Sequence, residues 1–310
     1  MTYRDDVSAD LVVLEAERRG LNLYRFNTED YPLDVRITID PIRPDTGRLL
    51  AGDREIELGN ARGIWLRRPR WPVVDPGLER TDRVFAQQEA VAAIGGAWRV
   101  LADRCVSPPD AMQAARWKVQ QLATAARLGL PVPETIVTND PTTAATFAAR
   151  GPTIAKAVAE VRVETSDEVL VGETFAIDAE FNPEAVRPTP VLLQRRVDKV
   201  SDLRVTAIGH TLFAVRITTP DGAPLDFRQT ESRDCRYEVV DLPDRVASRL
   251  RAYIGAFGLR FGAFDLAEDR EGTLWFLECN PAGQWGWLEP FTGLDITGAL
   301  IDLLLDPSQS

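Results

Sequence analysis

The sequence carries a single histidine in 310 residues. His210 lies in Ile208-Gly209-His210-Thr211, which has the composition of a hairpin turn, and no GxSxG elbow accompanies it. Hydrolysis by a nucleophile with a histidine base is therefore disfavoured. Cysteine is also scarce. Cys105, Cys235 and Cys279 are odd in number and widely spaced, with no CxxC pair, which argues against a disulfide framework and against a zinc site. Long apolar runs are missing, and the charged opening Met1-Thr-Tyr-Arg-Asp-Asp precedes no apolar segment with a small-residue cleavage site. A cytoplasmic protein with no membrane partner is expected. Lysine is the scarcest charge: Lys118, Lys156 and Lys199 are the only three among 36 basic residues. Against that arginine background, each lysine marks a position where a guanidinium is not an automatic substitute.

What is present sets the other bounds. A hydrophobic content of 45% over this length supports two or three subdomains. The net charge of −11 and a pI near 4.8 argue against nucleic acid or an anionic bilayer as a general partner, while allowing a local basic cleft.

The stretch most informative about chemistry is 261–287, FGAFDLAEDREGTLWFLECNPAGQWGW. Two runs rich in aromatic and aliphatic residues flank Asp269-Arg270-Glu271-Gly272, the pattern of a β-hairpin. A turn centred near Glu271 and Gly272 sets Asp265 opposite Glu278. Strand alternation then puts Glu278 and Asn280 on one face and Cys279 on the other. Asp265, Glu278 and Asn280 can so form an all-oxygen cluster suited to a hard cation such as Mg²⁺, although solvated carboxylates at strand ends would satisfy the same spacing.

Elsewhere, residues 10–19 read as a short amphipathic helix ended by Gly20, residues 21–26 as a strand, and 35–39 and 55–58 as further strands, an alternation expected of a small α/β domain closed by a helix over 85–101. Between them, Arg67-Arg68-Pro69-Arg70-Trp71-Pro72 reads as an anion-binding loop or, more simply, as a solvated, proline-stiffened connection. Residues 111–133 predict one helix carrying Lys118 and ending at Gly129. A helix opens at Asn139-Asp140-Pro141, and a short strand over 152–157 holds Lys156 among apolar neighbours, costly unless it meets an anion or its stem reaches water. Residues 158–173 are polar and irregular, as in a mobile loop over a ligand. Strands are predicted over 191–197, 203–208 and 211–218, with Arg204 and Arg216 inside them, and a helix over 293–305.

This order of motifs resembles the ATP-grasp ligases over about residues 111–305. More narrowly, WLRRP, LGLPVPETIVTNDP and FLECNPAGQWGWLEPFTGLDI are similar to the graspetide synthetases, the microviridin-type maturases of ribosomal peptides. The resemblance implies an α/β (α+β) ATP-grasp fold with an N-terminal pre-ATP-grasp domain over 1–110, a central subdomain over 111–187 and a C-terminal subdomain over 188–310. It implies ATP and Mg²⁺, two ions, as cofactors, with Lys118 and Lys156 on the phosphates, Gln194, Arg195, Arg196 and Val197 beside adenine, and Asp202 on the ribose. Arg204 matches the arginine near the transferred phosphate, and Asp265, Glu278 and Asn280 match the magnesium ligands. Arg195 stands where the wider fold has Glu, so contact there falls to backbone atoms, and Gly172 is the only glycine in a loop richer in glycine or serine among relatives. Arg216 and Arg228 are close to arginine positions of the family and are expected to orient the substrate carboxylate. The implied reaction joins Asp or Glu side chains of a precursor peptide, leader plus core, to hydroxyls or amines through an acyl phosphate, giving ω-esters or ω-amides. Such ligation needs no enzyme nucleophile. A homodimer is an expectation of the same resemblance. Ligation of free amino acids or short peptides, and a nucleotide-binding module without catalysis, are the alternatives.

Overall fold

The computed structural model describes residues 1–159, 162–164, 169–171, 174–177 and 181–306. In order, the elements are α1 (Val7–Arg18), β1 (Val35–Thr38), β2 (Arg48–Ala51), β3 (Arg54–Glu57), α2 (Arg80–Val100), α3 (Pro109–Ala114), α4 (Lys118–Arg127), β4 (Thr135–Thr138) and α5 (Pro141–Ala149). There follow β5 (Thr153–Lys156), β6 (Arg162–Glu164), β7 (Val169–Val171), β8 (Thr174–Ile177), β9 (Val191–Arg195), β10 (Lys199–Ile208), β11 (Thr211–Thr218), β12 (Arg236–Val239), α6 (Asp244–Phe257), β13 (Phe261–Asp269), β14 (Leu274–Asn280), α7 (Glu289–Thr292) and α8 (Ile296–Leu305). Every pairing between these strands is antiparallel. Among the described residues, no helix is long and apolar enough to cross a membrane.

Two sheets carry the architecture. The strands run β12-β11-β10-β13-β14 in the larger and β4-β9-β5-β8 in the smaller. Odd-numbered residues of β10, Leu203, Val205 and Ala207, enter the core beneath α6 with Leu250, Tyr253 and Phe276. On the opposite face, Val215 and Ile217 of β11 join Phe261 and Trp285 in a second core that α8 closes. The smaller sheet has its own core around Phe147, Val186 and Leu193.

Several sequence expectations change. Residues 21–26 are not a strand; the adjacent Asn27 makes only an isolated bridge to Thr2. The N-terminal strands form an antiparallel meander rather than an α/β alternation, and β2 supplies an additional middle strand. The predicted helix over 111–129 is two helices. The chain breaks at Ala115-Arg116-Trp117, so that Lys118 opens α4 and Gly129 ends it at φ +80°. Within 158–173, β6 and β7 pair antiparallel, while Gly172 and residues 160–161, 165–168 and 173 lie outside the described residues.

Candidate active site

The hairpin forms as its spacing predicts. Asp265 pairs with Glu278 across β13 and β14, and Ala263 pairs with Asn280, so the three oxygen-bearing side chains share one face. A bulge at Leu277 separates this stretch from the Leu266–Phe276 pairing and returns Phe276 to the core beneath α6. Cys279 points the other way into that core, and its backbone is held on both sides by Gln121, which donates to the Cys279 carbonyl and accepts from its amide, each at 2.9 Å. Helix α4 is thereby fastened to the acidic strand, and it brings Lys118 with it.

A cleft of about 840 Å³ opens between the two sheets. Lys118, Lys156 and Lys199, all three lysines of the chain, line it. So do Gln194, Arg195, Arg196, Val197, Asp202, Arg228, Asp265 and Glu278. In a protein of net charge −11, six basic side chains outnumber four acidic ones among the described residues that line the cleft, which creates a local field for an anion.

The lysines are held as donors. Lys118 Nζ donates to the Ala157 carbonyl at 2.9 Å and lies 3.9 Å from Glu278. Lys156 Nζ reaches Gln194 Oε1 at 3.1 Å, while Gln194 Nε2 donates to Thr135 Oγ1, which fixes the orientation of the amide. Burial pushes the Lys156 pKa down, and Glu278 opposes that shift; no carboxylate lies within ion-pair distance of Lys156 among the described residues. Lys199 donates to Asp202 at 2.5 Å and to the Leu225 carbonyl at 2.7 Å. Burial raises Asp202 to about 6 despite that partner. The Arg195 guanidinium stacks 4.0 Å over Phe147, pairs with Glu134 and donates to the Gly151 carbonyl, so its charge is spent on the wall behind the strand.

Arg204 pairs with Asp265 in register and donates to its Oδ1 at 2.7 Å, and also to the Gln284 carbonyl at 2.9 Å. Burial, opposed by Arg204 and reinforced by Glu278, holds the Asp265 pKa above the ordinary carboxylate range. Arg228 makes a fork to Asp226, whose hydrogen bonds raise the arginine pKa, and lies 3.7 Å from Glu278. The donor set fits a hard cation. Arg204 occupies one oxygen of Asp265, and among the described residues Glu278 faces the charges of Arg228 at 3.7 Å, Lys118 at 3.9 Å and, farther off, Lys156, so carboxylate oxygens remain available where two acidic groups repel. Asn280 Oδ1 accepts from the Ala282 amide at 2.8 Å, which orients it at the strand end.

Arg216 is a correction. It is opposite Leu203, one residue out of phase with Arg204, and therefore on the other face of the sheet. There it pairs with Glu268 at 2.8 Å and Glu238 at 3.1 Å, away from the cleft. The RRPRWP segment is the second correction. Pro69, Arg70 and Trp71 are exposed, as in a solvated connection, but Arg67 has a side chain with 0% exposure, stacked between Trp65 and Trp285, 3.6 Å from the equally buried Asp6 and donating to the Ala282 carbonyl. Arg68 donates to the same carbonyl at 3.1 Å. The first domain thus grips the loop that follows Asn280. The residues missed by sequence reasoning are Lys199, Asp226 and Phe227 on the cleft wall; only the rarity of lysine pointed to the first.

Residues 1–113 match the MvdD pre-ATP-grasp domain model. No curated protein matches the chain. Among solved structures, it is similar to the macrocyclase MdnC of Microcystis aeruginosa MRC, bound with the precursor peptide MdnA, at 27% identity over 99% of this chain and 98% of that one, with a TM-score of 0.86. The macrocyclase MdnB of the same organism is 25% identical over 98% and 97%, with a TM-score of 0.81. A Chryseobacterium gregarium RiPP-associated ATP-grasp ligase, in complex with ADP and leader and core peptides, has the same fold at 22% identity over 99% and 96%, TM-score 0.88. The chain thus joins a match to the MvdD pre-ATP-grasp domain over residues 1–113 to an ATP-grasp fold, and along nearly its whole length it is similar to two macrocyclases.

Proposed function

We propose that the protein is an ATP- and Mg²⁺-dependent ligase that activates Asp or Glu side chains of a ribosomal precursor peptide and condenses them with hydroxyl or amine side chains into macrocycles. The observation that carries this is the convergence of three lysines and the Asp265–Glu278 pair on one cleft between two sheets. Lys118 and Lys156 would hold the nucleotide phosphates, Gln194 and the main chain of 195–197 the adenine, and Asp202 the ribose. Asp265, Glu278 and Asn280 would hold Mg²⁺, which when bound neutralises phosphate charge during transfer. Arg204 orients Asp265 and stands beside the site of phosphoryl transfer, and Arg228 offers a guanidinium at Glu278 toward the attacking carboxylate. The work of the chain is to position and to neutralise, which is why a protein with one histidine can carry the reaction.

The reading includes the division at 1–110, 111–187 and 188–310, and a homodimer, which light scattering measures. Release of ADP and phosphate with a candidate precursor should fall by at least about a hundredfold in Asp265→Asn, Glu278→Gln and Lys156→Ala, the scale of losing a preorganised electrostatic contact. Precursor mass should drop by about 18 Da per ring, one water for each condensation. Near wild-type turnover in all three variants would sink the proposal. Ester and amide products separate by their lability to mild alkali.

A further inference from the structure

Lys199 lines the lysine cleft but has no part in the nucleotide assignment above, and the backbone is shaped to bring it there. The ladder between β10 and β13 pairs Lys199 with Asp269 and Ser201 with Glu268, so Val200 is a bulge and half exposed. Strict alternation would set Lys199 with Ser201 and Leu203, on the face away from Arg204. The extra residue re-aims the side chain, and its ammonium meets Asp202 in the cleft. From there Nζ donates in two directions, to Asp202 Oδ2 at 2.5 Å and to the Leu225 carbonyl at 2.7 Å. A compact ammonium with three donors can serve a carboxylate and a carbonyl together.

The second partner belongs to the segment 219–235, which joins β11 to β12 with only short 3₁₀ turns. At its centre Asp226 caps the turn Phe227–Gln229, accepting from the Arg228 amide at 3.1 Å and from the Arg228 guanidinium at 2.8 Å and 2.6 Å. Asp226 and Arg228 so form one piece, directly after Leu225, and Arg228 Nη1 stands 3.7 Å from Glu278. A single 3₁₀ turn does not persist unsupported. Among the described residues, the hydrogen bond from Lys199 and the charge of Glu278 reach this piece from outside the segment, and the Phe227 ring meets Trp287 at 6.1 Å.

We propose that Lys199 is a positioning residue that couples the two substrates: anchored by Asp202, it fixes the Leu225 carbonyl and with it Arg228 over Glu278, so that a nucleotide seated at Asp202 firms the arm that receives the attacking carboxylate. This rests on the ligase reading above, which gives the ribose to Asp202 and the carboxylate to Arg228. A ribose hydroxyl that donates to Asp202 stabilises its ionised form, the form that holds an ammonium. A nucleotide in the cleft also takes the Lys199–Asp202 pair out of water, which strengthens both bonds of the ammonium. The coupling is reciprocal, so a carboxylate at Arg228 strengthens nucleotide binding by the same factor.

Hydrogen–deuterium exchange on the full-length protein is the test, because the amides of Arg228, Gln229 and Thr230 are all hydrogen-bonded within the turn. Without ligand, their exchange should be at least about tenfold faster in Lys199→Met than in the wild type. Saturating Mg²⁺·ADP, with saturation set by calorimetry for each protein, should slow the turn by about tenfold in the wild type and leave it unchanged in the variant, the scale of a coupling between two sites. Residues 203–208 of β10 and 261–266 of β13 should exchange alike in both proteins. If Lys199→Met fails to melt cooperatively, Lys199→Met/Asp202→Asn, which leaves no uncompensated buried carboxylate, takes its place in the ligand-free comparison. Equal exchange of the turn in the two ligand-free proteins, faster exchange spread through β10 and β13, no slowing in the ADP-loaded wild type, equal slowing in the variant, or loss of Mg²⁺·ADP binding by Lys199→Met would each overturn the inference. Failure of the wild type to bind Mg²⁺·ADP would instead overturn the ligase reading, since the ligand-free exchange reads the Lys199 anchor independently.

Discussion

Asp202 shows how a single carboxylate reports on the state of the cleft. Burial lifts it to about 6, although Lys199 lies 2.5 Å away, so it gives up its proton only as the pH rises through that value. The folded state then binds more protons than the unfolded chain between about pH 4 and pH 6. Its contribution to stability is therefore fully present below the unfolded pKa and declines as the pH rises toward 6. Ligand binding should run in the opposite direction. An ionised Asp202 is the better acceptor for a sugar hydroxyl, so Mg²⁺·ADP affinity should weaken as the pH falls from 7 to 5. Calorimetry across that range should show this loss, and Asp202→Asn should flatten it. Lys156 carries a complementary prediction: Lys156→Arg, bulkier and forked where Gln194 accepts a single donor, should weaken nucleotide binding by about tenfold although the charge is kept.

At the scale of elements, the decisive unit is the loop from Pro281 to Gln284. Arg67 and Arg68 hold its Ala282 carbonyl, Arg204 holds that of Gln284, and Gly283 packs so closely that an added Cβ would meet the Ala263 Cβ at 2.2 Å and Arg204 Nη2 at 2.8 Å. Gly283→Ala must displace either the strand that carries Asp265 or the arginine that orients it. Metal-dependent nucleotide binding should suffer more than metal-free binding in that variant. Arg67→Ala leaves the buried Asp6 carboxylate with its hydrogen bonds from Thr2 and Ser8 but without the guanidinium charge, and should cost about 3 kcal/mol, the low end for breaking a buried pair, in a denaturant titration. None of this was legible in RRPRWP, because Ala282 is 215 residues away and a sequence does not show which distant carbonyl will bury an arginine. The acidic hairpin was legible because its partners are local and its turn fixes the register. Arg216 could have been excluded on the same logic. A turn at Gly209–His210 pairs Ile208 with Thr211, and counting outward sets Arg204 opposite Val215, which leaves Arg216 on the wrong face. The break at Ala115 is different: an alanine-rich run gives no local signal, and the split depends on Gln121 reaching back to the Ala115 carbonyl at 2.6 Å.

Across the whole molecule, the cleft joins two sheets with separate cores, so a bound nucleotide should stabilise the pair together. At a hundredfold excess over its dissociation constant, Mg²⁺·ADP would add about 2.7 kcal/mol to the folded state. On the proposed assignment of Mg²⁺ to Asp265 and Glu278, part of that increment comes from relieving the acidic pair, since Asp265 is buried beside Glu278 with its pKa raised. Glu278→Gln separates the contributions. The substitution removes the repulsion, and the attractions it sacrifices, to Arg228 at 3.7 Å and Lys118 at 3.9 Å, are long contacts. The apo variant should therefore unfold within about 1 kcal/mol of the wild type, the scale of partly exposed ion pairs. Adding ADP alone should stabilise variant and wild type alike through the lysines, whereas adding Mg²⁺ should give a further rise only in the wild type. A variant that melts well below the wild type without ligand would mean that Glu278 is a structural ion-pair partner. An equal Mg²⁺ increment in both proteins would place the cation elsewhere in the cleft.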